Sequence, residues 1–335
     1  MKTFIKKFIA LTISSIVIFF SLAQAENAAI IPQAPNLDAK AYILVDARTG
    51  AVLAAKNPDQ KVAPASLTKL MTLYVVFTQL NKGTIHLSDP VRVSKKAWKT
   101  AGSRMFLSEG STPTVAQLIQ GVIVDSGNDA CIALSEFVAG SEDAFVSLMN
   151  SWSSKLGLSN TAFSNPHGLD SNELYSTPRD IAKLSQAIIR DLPQIYPMYS
   201  ELSFTYNGIT QYNRNGLLRD RSLNVDGMKT GYTSGAGYSL ATSATNGDMR
   251  LISVVMGSSS TKNRESESKQ LLSYGFRFFD TISPTKAGEK LSEVRVWMGE
   301  QDLEVGGPLG SMRLHRIDTK SWSRKSVEFP LGQGH

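Results

Sequence analysis

Three strand-like runs crowded between Met228 and Met256 constrain the fold of this chain more than any other feature. Met228 to Thr233, Tyr238 to Ala244 and Arg250 to Met256 are separated only by short loops rich in Gly and Asn. Loops of that length join antiparallel neighbours, whereas a parallel crossover needs a dozen residues or more. Two further β-like runs, Ala41 to Asp46 and Ala51 to Ala55, flank the turn Arg48-Thr49-Gly50 and read as a hairpin. The residues between these two β regions follow helical spacing. Leu67, Leu70, Met71, Tyr74, Val75 and Thr78 share one face, with Pro64 before them and Gly83 closing the helix. Thr114 to Ile123 is opened by Thr114 as cap with Gln117 three residues on. Helix resumes over Ala130 to Val138 and over Asp143 to Leu156, which Gly157 ends. Another helix starts at Thr177 with Pro178 in its first position and runs to about Arg190. Val91 to Glu109 and Asn165-Pro166-His167-Gly168 read as loops, and Val124 to Asp129 as a turn. Asn263 to Phe279 is a last helix, packed by Leu271, Leu272, Phe276 and Phe279. Segregation of this kind predicts the α/β (α+β) class, with a mainly antiparallel sheet covered by helices rather than a doubly wound one.

The ends of the chain read differently from its centre. Lys2, Lys6 and Lys7, an apolar stretch from Phe8 to about Leu22, and Ala23-Gln24-Ala25 have the form of a cleavable secretory signal over residues 1–25. Its removal takes three positive charges from a formal net charge of +6, so nothing in the charge balance indicates nucleic-acid binding. No other run is long and apolar enough to span a bilayer. Cys131 is the only cysteine, so no intrachain disulfide is possible, and the residue reads as a buried structural thiol. His86, His167, His315 and His335 show no metal-ligand spacing; no metal and no cofactor are expected. The main domain is expected over residues 26–283. Pro284 marks a boundary, and residues 284–335 read as a short, incomplete β-rich domain. Half a β domain exposes strand edges, so reduced stability or aggregation is expected of it. Pro330 to His335 show no amphipathic pattern, so a membrane anchor is not expected from them.

Chemistry enters with Pro64-Ala65-Ser66-Leu67-Thr68-Lys69. On a helix, positions i and i+3 share a face, so Ser66 Oγ and Lys69 Nζ come within reach of each other. A serine hydroxyl needs a base to become a nucleophile, and a desolvated lysine can be that base. The spacing alone selects nothing, because Ser-x-x-Lys also occurs at Ser259, Ser266 and Ser283, among polar residues that read as surface. Two other stretches single out the first pair. Ser126-Gly127-Asn128 sits in a turn between helices, and Lys229-Thr230-Gly231, which occurs once, sits on the first late strand.

Ser-x-x-Lys, Ser-x-Asn and Lys-Thr-Gly in that order resemble the signature of active-site-serine penicillin-binding proteins and β-lactamases. Pro-Ala-Ser-Leu-Thr-Lys-Leu-Met-Thr, Ser-Gly-Asn-Asp-Ala-Cys and Val-Asp-Gly-Met-Lys-Thr-Gly-Tyr-Thr narrow it. They look like the low-molecular-mass penicillin-binding proteins that act as D-alanyl-D-alanine carboxypeptidases, the penicillin-binding protein 5/6-like peptidases of family S11. Leu271 to Thr281 is similar to the helix that ends their catalytic domain, and the resemblance spans roughly Ala41 to Val296. It implies a β-lactamase/transpeptidase-like domain. It also implies removal of the terminal D-alanine from peptidoglycan pentapeptides, acylation by β-lactam antibiotics, and the periplasm of a Gram-negative bacterium, at or near the outer face of the inner membrane.

Acyl transfer needs a nucleophile, a base, an oxyanion hole and a leaving-group acid. Ser66 fits the nucleophile, near a helix start whose free N–H groups favour an oxyanion. Lys69 fits the general base, its proton affinity lowered by burial and by Lys229 as a second cation. Ser126 fits a proton relay, and Asn128 a partner for a substrate amide. Lys229, Thr230, Gly231 and Tyr232, on an edge strand, allow a peptide to pair as an added strand. The resemblance adds the backbone N–H of Tyr232 as second oxyanion donor, at a position where relatives often carry His. It also adds Thr230 and Arg264 as holders of the terminal carboxylate, to which a guanidinium is suited. Asp125 and Asp129 read as residues that orient the turn or cap the following helix rather than transfer protons.

Two alternatives stay open at this level. A class A β-lactamase positions its deacylating water with Glu-x-x-Leu-Asn, a string absent between Asn128 and Lys229. A non-catalytic cell-wall or penicillin-binding protein on the same fold is the other.

Overall fold

A computed structural model describes residues 32–282 and three further short strands, Ser292–Arg295, Leu303–Gly306 and Arg313–Arg316. The expected signal segment lies outside the described residues, as does most of the expected C-terminal domain. No described helix is long and apolar enough to cross a membrane.

The expected hairpin forms as β1 (Ala41–Asp46) and β2 (Val52–Lys56). The Asp46 carboxylate holds its turn: Oδ1 accepts from the backbone N–H of Arg48 and Thr49 and from the Thr49 hydroxyl. A single 3₁₀ turn, Ala65–Thr68, then leads straight into α1 (Lys69–Asn81). Helices α2 (Lys95–Lys99) and α3 (Val115–Gln120) follow, the second opened by the predicted capping box between Thr114 and Gln117. Where helix was predicted on to Ile123, the chain instead widens into a π turn, Gly121–Asp125, which ends at Ser126. α4 (Asn128–Ala139), α5 (Glu142–Lys155) and α6 (Pro178–Asp191) complete the helical layer, α6 with Pro178 in its first turn.

A hairpin that the periodicity did not reveal comes next: β3 (Ser203–Tyr206) and β4 (Ile209–Tyr212). The three expected strands are β5 (Asn224–Thr233), β6 (Gly237–Asn246) and β7 (Met249–Ser258), followed by α7 (Thr261–Phe278) and the short β8 (Phe279–Ile282). β1, β2, β5, β6 and β7 form one sheet in the order β2-β1-β7-β6-β5, every neighbouring pair antiparallel. β5 is therefore an edge.

Alternation along the central strands buries both faces. Ile43, Val45, Ile252 and Val254 join the larger core, with α1, α4, α5 and α6. Tyr42, Leu44, Leu251 and Val255 join a second core closed by Leu271 and Leu272 of α7. The sheet is thus the middle layer of three. The 3₁₀ turn before α1 packs against β5, where a Cβ built on Gly231 stands 3.0 Å from Pro64 O and 3.3 Å from Ala65 Cβ. A side chain at position 231 would push that turn away from the strand. This close approach brings the Ser66 motif and the Lys229 motif to one place.

Candidate active site

Ser66 sits in a turn held under backbone strain. Ala65 has φ +48°, in the left-handed region that a residue with a Cβ rarely occupies. The strain is enforced from two sides. β5 packs on one, and the loop Asn165–Gly168 closes the other so tightly that a Cβ on Gly168 would lie 1.9 Å from Ala65 O. That loop is folded by Asn165, whose Oδ1 accepts from the N–H of His167 and of Gly168. Thr72 of α1 ties it down by donating to Pro166 O at 2.6 Å.

Lys69, the first residue of α1, is fully buried. Its Nζ donates to Ser66 Oγ at 2.9 Å, to Asn128 Oδ1 at 2.7 Å and to His167 O at 2.5 Å. These three acceptors match the three protons of an ammonium. Lys69 is nonetheless brought down to about 8, by burial first and by Arg214, against Cys131 and Asp129, which act to raise it. Lys229 on β5 is buried as well and held well below the usual lysine range, by burial first, then by the charges of Lys69, Arg214 and Arg264. The two lysines feel each other's charge, and Arg214 is a further cation that bears on both.

Ser126 ends the π turn with φ +59°, buried, and its Oγ has no hydrogen-bond partner among the described residues. Beside it Asp125 is pushed up to about 7 by burial and by Asp129, against the pull of Arg214 and Lys229. Asn128 spans the site: Oδ1 accepts from Lys69, while Nδ2 donates to Ala101 O at 2.7 Å. In this arrangement Asn128 orients the lysine, and its amide keeps one further N–H for a ligand. Thr230 and Gly231 follow Lys229 on the edge strand, and Tyr232 projects half-exposed. Arg264, in the first turn of α7, donates to Gly231 O at 3.2 Å and to Arg214 O at 3.5 Å. Its Nε has no partner among the described residues.

The fold therefore brings Ser66, Lys69, Ser126, Asn128, Lys229, Thr230, Gly231, Tyr232 and Arg264 to one region. Ser66, Asn128 and Tyr232, with Gly168, Arg214 and Thr233, line a cleft of about 470 Å³. A larger concavity, about 770 Å³, lies at Lys183, Arg190 and Arg250. Its cations are already engaged: Arg190 with Asp191, Arg250 with Asp226, and Lys183 with Gly157 O.

Three contributors carried no readable signal in the sequence. Arg214 stands outside every motif, yet its charge bears on both lysines and it donates to Ser103 Oγ at 2.8 Å. His167 acts through its backbone carbonyl, and its ring is kept neutral by burial, which lowers it to about 4. Ala101 O fixes Asn128. Cys131 is buried next to the site, and burial pushes its thiol up to about 11, which keeps it protonated and unreactive. Chemically, the arrangement offers a hydroxyl against an amine that loses its proton near neutral pH, beside a second buried amine and an open strand edge.

Comparison with known proteins agrees with this geometry. The family model for D-alanyl-D-alanine carboxypeptidases of peptidase family S11 matches residues 28–260. The chain is 50% identical over 307 residues to D-alanyl-D-alanine carboxypeptidase DacA of Escherichia coli (strain K12), covering 89% of this chain and 76% of that protein. Among solved structures, penicillin-binding protein 5 from Haemophilus influenzae superposes with a TM-score of 0.79 at 49% identity, covering 85% of this chain and 83% of that one. A more distant neighbour is penicillin-binding protein D2 from Listeria monocytogenes, solved in an ampicillin-bound form. It has a TM-score of 0.67 at 27% identity and covers 73% of this chain and all of that one. The chain belongs to peptidase family S11, the D-alanyl-D-alanine carboxypeptidases.

Proposed function

We propose that this chain is an exported serine carboxypeptidase that removes the terminal D-alanine from peptidoglycan pentapeptides through an acyl-enzyme on Ser66. The observation that carries the reading is the buried Lys69 Nζ, 2.9 Å from Ser66 Oγ and brought down to about 8. In its neutral form Lys69 takes the Ser66 proton as Oγ attacks the penultimate carbonyl. The developing oxyanion is held by the backbone N–H groups of Ser66 and Tyr232, at a helix start and a strand edge. Ser126 Oγ, buried and otherwise without a partner, passes the proton to the nitrogen of the departing D-alanine. Collapse breaks the peptide bond and leaves the ester on Ser66. Water then attacks the ester, with Lys69 again as base, and restores the serine.

The peptide pairs along β5, its free carboxylate between Thr230 and Arg264, and the spare N–H of Asn128 meets a backbone carbonyl. Lys229 supplies a buried positive potential whose strength changes with its protonation. β-Lactams present the same end and acylate Ser66. Residues 26–283 form the catalytic domain. Residues 1–25 direct export, which places the enzyme in the periplasm of a Gram-negative bacterium. Incubation with a pentapeptide ending in D-Ala-D-Ala should release free D-alanine, and pre-treatment with benzylpenicillin should block the release. Penicillin capture without D-alanine release from any pentapeptide would overturn the reading in favour of a non-catalytic binding protein. Rapid penicillin hydrolysis would favour a β-lactamase.

A further inference from the structure

Two half-exposed aromatic rings line the cleft that holds the nucleophile, and each is held in place by its buried surroundings. Phe106 has φ +64°, a conformation that bulky side chains rarely adopt. The Asp129 carboxylate imposes it. Its Oδ1 accepts from Met105 N at 3.0 Å and its Oδ2 from Leu107 N at 3.1 Å. Met105 and Leu107 are thereby drawn into the core, and Phe106 between them is turned out, 51% exposed, at the cleft that holds Ser66. Strain of this kind persists only where the surroundings enforce it, and it concentrates at functional positions.

Tyr232, 52% exposed, lines the same cleft. Its ring lies against that of Tyr238, centroids 4.4 Å apart with 31° between the planes. The Arg264 guanidinium covers the Tyr238 ring at 5.7 Å. Large apolar groups held out of the core at the mouth of a cleft mark a surface that a ligand covers.

We propose that Phe106 and Tyr232 form an aromatic clamp that speeds acylation by β-lactams carrying an aryl or bulky apolar group on the acyl side of the reactive carbonyl. The direction of β5 places the group. With the carboxylate of the leaving residue at Thr230 and Arg264, the acyl side of a paired ligand lies toward Tyr232 and Thr233. A flat or apolar group there stacks on Tyr232 and meets the Phe106 ring. The clamp gives the Tyr232 side chain a role in ligand choice separate from the N–H of its backbone. It rests on the acyl-enzyme reading of Ser66.

Second-order acylation rates with benzylpenicillin and 6-aminopenicillanic acid test the clamp. The two share the reactive bicycle, but only the first carries a phenyl group on the acyl side. The ratio of the two rates should fall about tenfold in Phe106→Gly and in Tyr232→Leu. Glycine accepts φ +64° without strain, so Phe106→Gly should melt no lower than the parent, which separates loss of the ring from loss of the loop. A ratio that stays constant in both variants, whether the two rates hold or fall together, would overturn the clamp. If neither compound labels Ser66 in the parent chain, the acyl-enzyme reading fails, and the clamp fails with it.

Discussion

Lys69→Met will slow acylation of Ser66 by benzylpenicillin about 1,000-fold or more, while the protein still folds. General-base catalysis contributes about 100- to 10,000-fold. Here the base also orients the nucleophile, so the upper part of that range applies. The parent chain adds a pH signature. Lys69 falls to about 8 because burial penalises its charge. Only the neutral amine can take the Ser66 proton, so the active fraction rises as pH rises. At pH 7 about a tenth of the molecules carry neutral Lys69, and the rate should climb close to tenfold per pH unit below that point and level above about pH 8. Lys69→Arg separates charge from basicity. It keeps a cation near Ser66, but a guanidinium cannot lose its proton, so this variant should be as slow as Lys69→Met. Stopped-flow acylation from pH 6 to 9.5 checks both points. A rate in Lys69→Arg within tenfold of the parent would show that the lysine acts by charge alone.

Gly168→Ala will damage the site from the far side of the cleft. The added methyl would lie 1.9 Å from Ala65 O and 3.0 Å from Ser66 N, and φ at this residue is +89°. Nothing flexible stands in the way: the obstacles are backbone atoms of the turn that carries the nucleophile. The turn must therefore shift, and with it the register between Ser66 Oγ and Lys69 Nζ. The carbonyl of the preceding residue, His167, accepts from Lys69 at 2.5 Å, so the same displacement loosens the base. Overpacking and an unfavourable φ together should cost about 3 kcal/mol of stability. Displacement of the reacting groups should cut acylation about 100-fold in the molecules that remain folded. Thermal melting and acylation kinetics on the same sample separate the two losses. Gly83→Ala is the matched control. Gly83 also has positive φ (+70°), but a Cβ there meets nothing within 4 Å. It should show a smaller stability loss and a normal acylation rate. Equal effects from both variants would mean that backbone conformation, and not the contact with Ala65, accounts for the Gly168 result.

The legible and illegible parts of this site divide along physical lines. Side chains that do chemistry at fixed spacing on one element were readable: Ser66 and Lys69 on one helical turn, Lys229 to Tyr232 on one strand. So was the antiparallel pairing of that strand with the next one, because the short loop between them left little choice. What stayed hidden acts through the backbone or through tertiary placement. The carbonyls of His167 and Ala101 have no side-chain signature, and any residue type supplies the same acceptor. Arg214 reaches the lysines only because the β3–β4 hairpin and the segment after it fold back over the cleft, where Gln211 donates to Arg104 O. That hairpin did leave a trace in Asn207-Gly208, a favoured two-residue turn between alternating residues. The π turn left none. It widens Gly121–Asp125 by one residue, which aims Ser126 and Asn128 in a way no 3.6-residue periodicity reports.

Intact-protein mass after benzylpenicillin treatment, followed over time and mapped to a peptide, tests the central claim most directly. The claim is that Ser66, set against a buried lysine, is the acyl-accepting nucleophile. One adduct per chain is expected, on the peptide containing Ser66, lasting far longer than a catalytic turnover and missing in Ser66→Ala. An adduct on another residue, or an undiminished adduct in Ser66→Ala, would contradict it.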